Sequence, residues 1–264
     1  MKTLKGTAVV TGASSGIGEK YAQRLGNEGY DLILIARNEQ KLETVAQKIR
    51  EETGQQVLVF PADLEERNDL EKAISFLHSV PNIQMLVNNA GIGATETLTD
   101  IDTRKVERMV SLNISALTQL TLALLPTFIE RHSGTIVNIA SIVAIAPEVL
   151  NGIYGASKAY VLAFSQSLRH EVADKGICIQ VVLPGATATN FWDVAGTPLE
   201  YVPQDIVMSV DDMVDAAIKG LNMGEFMTIP SLPDSADLDA YEAARQKLLP
   251  NLSRSEVAQR YRGV

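Results

Sequence analysis

One alternation narrows the fold more than any other feature. Seven short apolar runs rich in branched residues are separated by long amphipathic stretches: TAVVT (7–11), DLILIA (31–36), QVLVF (56–60), MLVNN (85–89), GTIVNIA (134–140), ICIQVVL (177–183) and FMTI (226–229). The stretches between them, 16–28, 39–53, 66–79, 103–131, 152–175 and 211–223, carry the helical period. An apolar run with few polar alternations is a strand covered on both faces, and such strands belong to parallel sheets. The β-helix-β rhythm therefore predicts an α/β fold, a doubly wound sheet with helices on each side.

Nothing divides the chain: no repeat, low-complexity tract or linker interrupts residues 1–264, which read as a single domain. Three hydroxyl-then-carboxylate spacings, TDID (99–102), SVDD (209–212) and SRSE (253–256), fit a capping box and predict helix starts. The segment 231–264 is richer in charge and punctuated by Pro233 and Pro250, which predicts short helices packed on the main body or on a neighbouring subunit.

Charge and composition exclude several classes. A formal net charge of -9 argues against nucleic acid, whose phosphates need clustered Lys and Arg. The one cysteine, Cys178, cannot form an intrachain disulfide, and its apolar run predicts a buried, inert thiol. The apolar run at the N-terminus is too short for a signal peptide, and no segment approaches the roughly 18 consecutive apolar residues of a membrane span. The expectation is a soluble, cytoplasmic protein. His78, His132 and His170 match no ligand spacing, so no metal is expected.

The motif VVTGASSGIG follows the first strand and opens the first helix. Gly12 can take the left-handed turn, Gly16 clears the way for a pyrophosphate, and Gly18 allows close helix packing. Amides at the helix start would then hold an anion. A merely tight strand-to-helix turn is the alternative for a glycine trio alone, and the flanking strand and helix favour the dinucleotide. The second strand ends LILIARN, without the acidic residue that would bond a ribose 2′-hydroxyl. Arg37 stands there instead and can pair with a 2′-phosphate, unless it is a solvated arginine beginning a helix. NADP(H) is the expected ligand, with NAD(H) possible.

In NGIYGASKAY, Tyr154 and Lys158 are four apart and share a helix face. A phenol with an ordinary pKa near 10 is a poor base. Moving it toward 7 needs about 4 kcal/mol, which a cation about 4 Å away can supply at an effective dielectric near 20. Ser141, at the end of GTIVNIAS, can hydrogen-bond a substrate oxygen. Alone the pair arises by chance on many surfaces; after a serine-ended strand and a dinucleotide cradle it is read as an acid–base group.

The ordered set TGASSGIG (11–18), NNAG (88–91), SLNIS (111–115), Ser141, YGASK (154–158) and PGATAT (184–189) resembles the short-chain dehydrogenase/reductase family, across at least residues 5–190. That resemblance implies a Rossmann-type sheet of about seven parallel strands and hydride transfer to or from NAD(P). It makes Tyr154 the general acid/base and Lys158 the group that lowers its pKa and binds the nicotinamide ribose. Ser141 positions the substrate oxygen, and Asn113 holds a water that relays protons to Lys158. Coenzyme contacts are implied for Gly12, Ser14, Ser15, Gly16, Ile17 and Gly18, and for Arg37 and Asn38. Asp63 would meet the adenine, Asn89, Ala90 and Gly91 the adenosine ribose, and Pro184, Gly185, Thr187 and Thr189 the nicotinamide end. Many NADP-preferring members carry a basic residue where this chain has Ser15. The resemblance also suggests a homodimer or homotetramer.

The substrate is expected to be an aldehyde, ketone or alcohol with a hydrophobic body, since 142–153 is apolar except for Glu148 and Asn151, and 190–203 brings Phe191, Trp192 and Tyr201. These aromatics belong to an expected lid within 190–225, or else pack a flap against the sheet. The function expected is an NADP(H)-dependent carbonyl reductase or alcohol dehydrogenase. The alternatives are an NAD(H)-preferring enzyme of the same family and a catalytically silent dinucleotide-binding regulator.

Overall fold

The computed structural model describes residues 5–150 and 152–262, so Asn151 lies outside the described residues. All seven expected strands form: β1 (Thr7–Thr11), β2 (Asp31–Ala36), β3 (Val57–Pro61), β4 (Ile83–Asn88), β5 (Gly134–Ile139), β6 (Ile177–Val182) and β7 (Met227–Thr228). They make one sheet in the order β3-β2-β1-β4-β5-β6-β7, and every pair is parallel. The order reverses between β1 and β4, which opens a crevice at the carboxyl ends of the strands.

Helices cover both faces because successive strand residues point to opposite sides. On one face, α1 (Gly16–Glu28), α2 (Glu39–Thr53) and α8 (Val210–Asn222) bury Leu25, Ile49 and Met213 with Val10 and Leu34. On the other, α3 (Arg67–Ser79), α5 (Leu117–Glu130) and α6 (Gly152–Glu171) bury Leu77, Phe128 and Leu168 with Val9 and Ile33. Each such side chain contributes about 1.5–3 kcal/mol when fully withdrawn from water.

The expected helix 103–131 is real but not uniform. It runs as α4 (Thr103–Met109), a π-helical stretch (Val110–Ala116) and α5. Thr103–Glu130 is long and apolar enough to cross a membrane by length and composition, which the count of consecutive apolar residues missed. Its apolar residues Leu117, Leu120, Leu124 and Phe128 are buried against the sheet, the behaviour of a core helix. A polar ladder also crosses this layer: Asn88 Nδ2 donates to Thr121 Oγ1 (3.0 Å) and Asn138 Oδ1 (2.9 Å), and Asn138 Nδ2 donates to Ser165 Oγ (2.9 Å).

Three local expectations change. At SVDD the cap forms, with Ser209 Oγ accepting from Asp212 N at 3.0 Å. At TDID the cap is Asp102 rather than Thr99, because Asp102 Oδ1 reaches Arg104 N at 2.9 Å. No α-helix follows SRSE among the described residues, where only a 3-10 turn, Gln259–Tyr261, occurs. Cys178 is exposed, not buried, since β6 becomes buried only from Ile179 onward. Partial burial still pushes its thiol pKa up, while Arg169 pulls weakly the other way.

Contacts group the chain into two units, residues 1–230 and 231–264. The second holds α9 (Ser235–Leu248), capped by Asp234 on Ala236 N, and two 3-10 turns. Within the expected lid, 210–222 is α8, whose Val214 and Ala217 belong to the main core. The covering segment therefore shortens to 190–209, with α7 (Phe191–Ala195) and two 3-10 turns.

Candidate active site

The crevice begins at the glycine motif. Gly12 and Gly16 take φ of 66° and 57°, the left-handed region that side chains disfavour. Ser15 is the N-cap of α1 but makes no side-chain cap hydrogen bond. The first amides of that helix thus face the cavity without a capping side chain, which suits an anion. A Cβ on Gly12 would stand 2.8 Å from Asn89 Nδ2, and one on Gly18 only 2.4 Å from Gly12 O. The missing side chains let β1 and β4 meet. Thr11 Oγ1 completes the junction, accepting from Asn89 N and Ala90 N at 3.0 Å each.

Beyond β2, Arg37 is half-exposed and lies 3.8 Å from Asp63 Oδ2 and 3.6 Å from Glu65 Oε1. Glu65 is held mainly by Arg108 at 2.6 Å, so the two long contacts leave the Arg37 guanidinium loosely tethered. Asn38 caps α2, its Oδ1 accepting from Lys41 N at 2.9 Å. That cap fixes Lys41 in the first turn of α2, where it lines the same cavity as Arg37. Sequence reading passed over Lys41. The signal available was a cation four residues beyond Arg37, at the start of the helix that Asn38 opens.

At the opposite end, β5 delivers Ser141 and α6 delivers Tyr154 and Lys158. Ser141 Oγ donates to Pro184 O (3.3 Å), accepts from Val143 N (3.4 Å) and hydrogen-bonds the Tyr154 hydroxyl. Lys158 Nζ donates to Ile139 O at 2.9 Å and lies 5.8 Å from the Tyr154 ring centroid. The small residues between the pair have separate tasks. Gly155 lets Pro147 approach, since a Cβ there would meet its Cα at 3.2 Å. Ser157 donates to Tyr154 O at 2.8 Å and accepts from Asn113 Nδ2 at 3.0 Å.

Asn113 sits in the π-helical stretch, a distortion that often marks functional positions. Its amide clasps Ile92, donating to the carbonyl at 2.8 Å and accepting from the N–H at 2.9 Å. A Cβ on Gly91 would touch both Asn113 Oδ1 (3.2 Å) and Lys158 Nζ (3.5 Å), so both atoms flank one spot.

The electrostatics differ from the sequence expectation. Burial raises the Tyr154 phenol above its ordinary value, and the Ser141 hydrogen bond offsets only part of this. The Lys158 ammonium donates to the Ile139 carbonyl, and the causes acting on the phenol are burial and Ser141. Burial in turn lowers Lys158 to about 8, leaving it charged at neutral pH. The pair as it stands is an acid with its proton in place.

One cavity of about 740 Å³ runs from the glycine motif to Tyr154. Every site residue expected from the sequence lines it except Gly18 and Asn113, which stand behind the wall and shape it. Pro184, Gly185, Thr187 and Thr189 form one side, and Phe191 and Trp192 continue it. Trp192 is anchored by its Nε1–H, which donates to Thr187 O at 3.0 Å.

Known proteins share this fold. The short chain dehydrogenase family model matches residues 6–198. A short-chain dehydrogenase from Sphingobium yanoikuyae, solved in complex with NADPH, is 41% identical with a TM-score of 0.93, covering 97% of this chain and 100% of that one. The bulky-bulky ketone specific alcohol dehydrogenase from Comamonas testosteroni is 37% identical with a TM-score of 0.90, each chain covered in full. The very-long-chain 3-oxoacyl-CoA reductase of Anas platyrhynchos is 39% identical over 188 residues, 69% of this chain but only 60% of that protein. With a seven-stranded parallel sheet, the glycine cradle and the serine–tyrosine–lysine set in one cleft, the chain belongs to the short-chain dehydrogenase/reductase family.

Proposed function

We propose that the protein is an oxidoreductase that interconverts a carbonyl compound and its alcohol with NADP(H). The observation that carries this reading is the placement of Tyr154, Ser141 and Lys158 in the cavity whose far end is the uncapped start of α1. When bound, the reduced dinucleotide supplies hydride to the carbonyl carbon. The Tyr154 hydroxyl donates its proton to the carbonyl oxygen as negative charge develops there. Ser141 Oγ, already beside that hydroxyl, holds the same oxygen. Lys158 would hold the ribose of the bound coenzyme with its buried ammonium. A water held by Asn113 beside Gly91 passes a proton back through Lys158. The test is consumption of NADPH, followed by absorbance, with a panel of aldehydes and ketones; no turnover across the panel refutes it.

Arg37 and Lys41 support the phosphorylated coenzyme, since both line the cavity and either cation can pair with a 2′-phosphate. Arg37→Asp is expected to weaken NADPH binding about 100-fold, from the loss of charge-assisted hydrogen bonds and the added repulsion. NADH binding should change little. Equal losses for both coenzymes in fluorescence titrations would reject the phosphate role of Arg37.

Lys158 gives the site a pH dependence. Its pKa is lowered to about 8, so it is mostly charged at neutral pH and loses that charge as pH rises through that value. Coenzyme affinity is expected to fall on that alkaline limb, and Lys158→Met to bind more weakly with the limb absent. A limb that persists in the variant assigns it to another group.

The assembly proposed is a homodimer or homotetramer, supported by Val110, Leu122 and Tyr160, exposed on the 103–130 helix and α6. Sedimentation at the mass of a single chain would count against it.

A further inference from the structure

We infer that the cavity contains a second, outward-facing apolar subsite, and that the substrate is a ketone with a large apolar group directed to the mouth. This rests on the oxidoreductase reading and adds to it the shape of the molecule reduced. Four large apolar side chains stand at the rim with much of their surface in water: Val149 (57% exposed), Val194 (58%), Tyr201 (72%) and Ile206 (59%). They come from two separate segments, the loop after β5 and the covering segment 190–209, yet they line one cavity. Single exposed apolar residues are ordinary; a group converging on a catalytic cleft marks a binding surface.

The interior beneath them is already apolar. Ile142, Val143, Leu150, Phe191 and Trp192 line it, and the Phe191 ring lies against Tyr154 with centroids 5.4 Å apart. A compact substrate would be satisfied by that inner wall and would leave the rim wet. A polyhydroxylated substrate would find few partners. Two of the lining hydroxyls, Thr95 and Thr197, are already engaged: Thr197 donates to Thr95 at 2.9 Å, and Thr95 donates to Ala195 O at 3.1 Å. The arrangement instead rewards an apolar arm that extends past the inner wall to cover Val149, Val194, Tyr201 and Ile206.

The experiment compares straight-chain methyl ketones from butanone to dodecanone, with a hydroxylated ketone as the polar control, in wild-type protein and in Tyr201→Ser and Ile206→Ser. Each added methylene that reaches the rim should raise kcat/KM by about fourfold. The rise should stop once the arm passes the mouth, and both variants should flatten the slope for the longer ketones. A wild-type rate independent of chain length, a preference for the hydroxylated ketone, or an unchanged slope in both variants overturns the subsite. If a carbonyl is reduced and Tyr154→Phe abolishes that reduction, the oxidoreductase reading survives such a result. Trp192, the only tryptophan, lines this cavity and gives a readout independent of turnover. If no ketone is reduced, saturable quenching of its fluorescence that tightens with chain length and weakens in Tyr201→Ser still supports the subsite. No response removes it.

Discussion

Tyr154→Phe is expected to lower kcat/KM by roughly 10²–10⁴-fold, the usual worth of a positioned general acid, while leaving coenzyme affinity unchanged. The substitution keeps the ring and removes one oxygen. Tyr154 is buried among Ile92, Met109 and Val143, and phenylalanine fills the same space. The partner it deserts, Ser141, retains Pro184 O and Val143 N, so no buried hydroxyl is orphaned. Thermal unfolding should therefore shift little, which separates lost chemistry from lost fold. Stopped-flow measurement of hydride transfer gives the sharpest reading. A variant with near wild-type rates would remove the phenol from the mechanism, whatever the coenzyme affinity.

Gly18→Ala is expected to damage coenzyme binding and stability together. The added carbon would lie 2.4 Å from Gly12 O and 2.5 Å from Asn89 Nδ2, the amide that donates to Thr11 O at 2.9 Å. Gly12 O is main chain and cannot rotate away. The glycine loop must separate from the end of β4, at a cost of about 1–3 kcal/mol for overpacking. In a chain of this size that corresponds to roughly 2–4 °C of melting temperature per kcal/mol. The same movement would misalign the first amides of α1, so NADPH affinity should fall at least tenfold. Gly54→Ala is the control: it is strained at φ 74° but has nothing within 4 Å of the new carbon. If Gly18→Ala melts and binds as Gly54→Ala does, close approach at Gly18 is not what the cradle needs.

The sheet was legible because its strands are covered on both faces, and Val9, Val10, Ile33 and Leu34 announce this as uninterrupted apolar runs. The site was legible where chemistry depends on local spacing, as for Tyr154 and Lys158 on one helix or the glycines on one turn. What stayed hidden depends on groups far apart in the chain. Nothing near Lys158 indicates that its ammonium would be directed to Ile139 O, on a different element. The expected fall in the Tyr154 pKa treated the pair as if it stood alone, whereas burial by the surrounding elements raises it and only the Ser141 hydrogen bond pulls the other way. Lys41 was passed over because its meaning comes from Asn38 capping α2 beside the cavity. The exposure of Cys178 escaped notice because an apolar run does not reveal where along a strand the covering layer begins.

The amide ladder beneath the site has a polarity of its own. Asn88 gives to Asn138, Asn138 gives to Ser165, and Ser165 gives to the carbonyl of Val161. Every proton in that relay is oriented the same way, so replacing Asn138 by the isosteric aspartate would remove the donor to Ser165, whose hydroxyl could then bond the carboxylate only by leaving the Val161 carbonyl. These positions are therefore coupled in space, and a change at one leaves a buried polar partner at the next without its match.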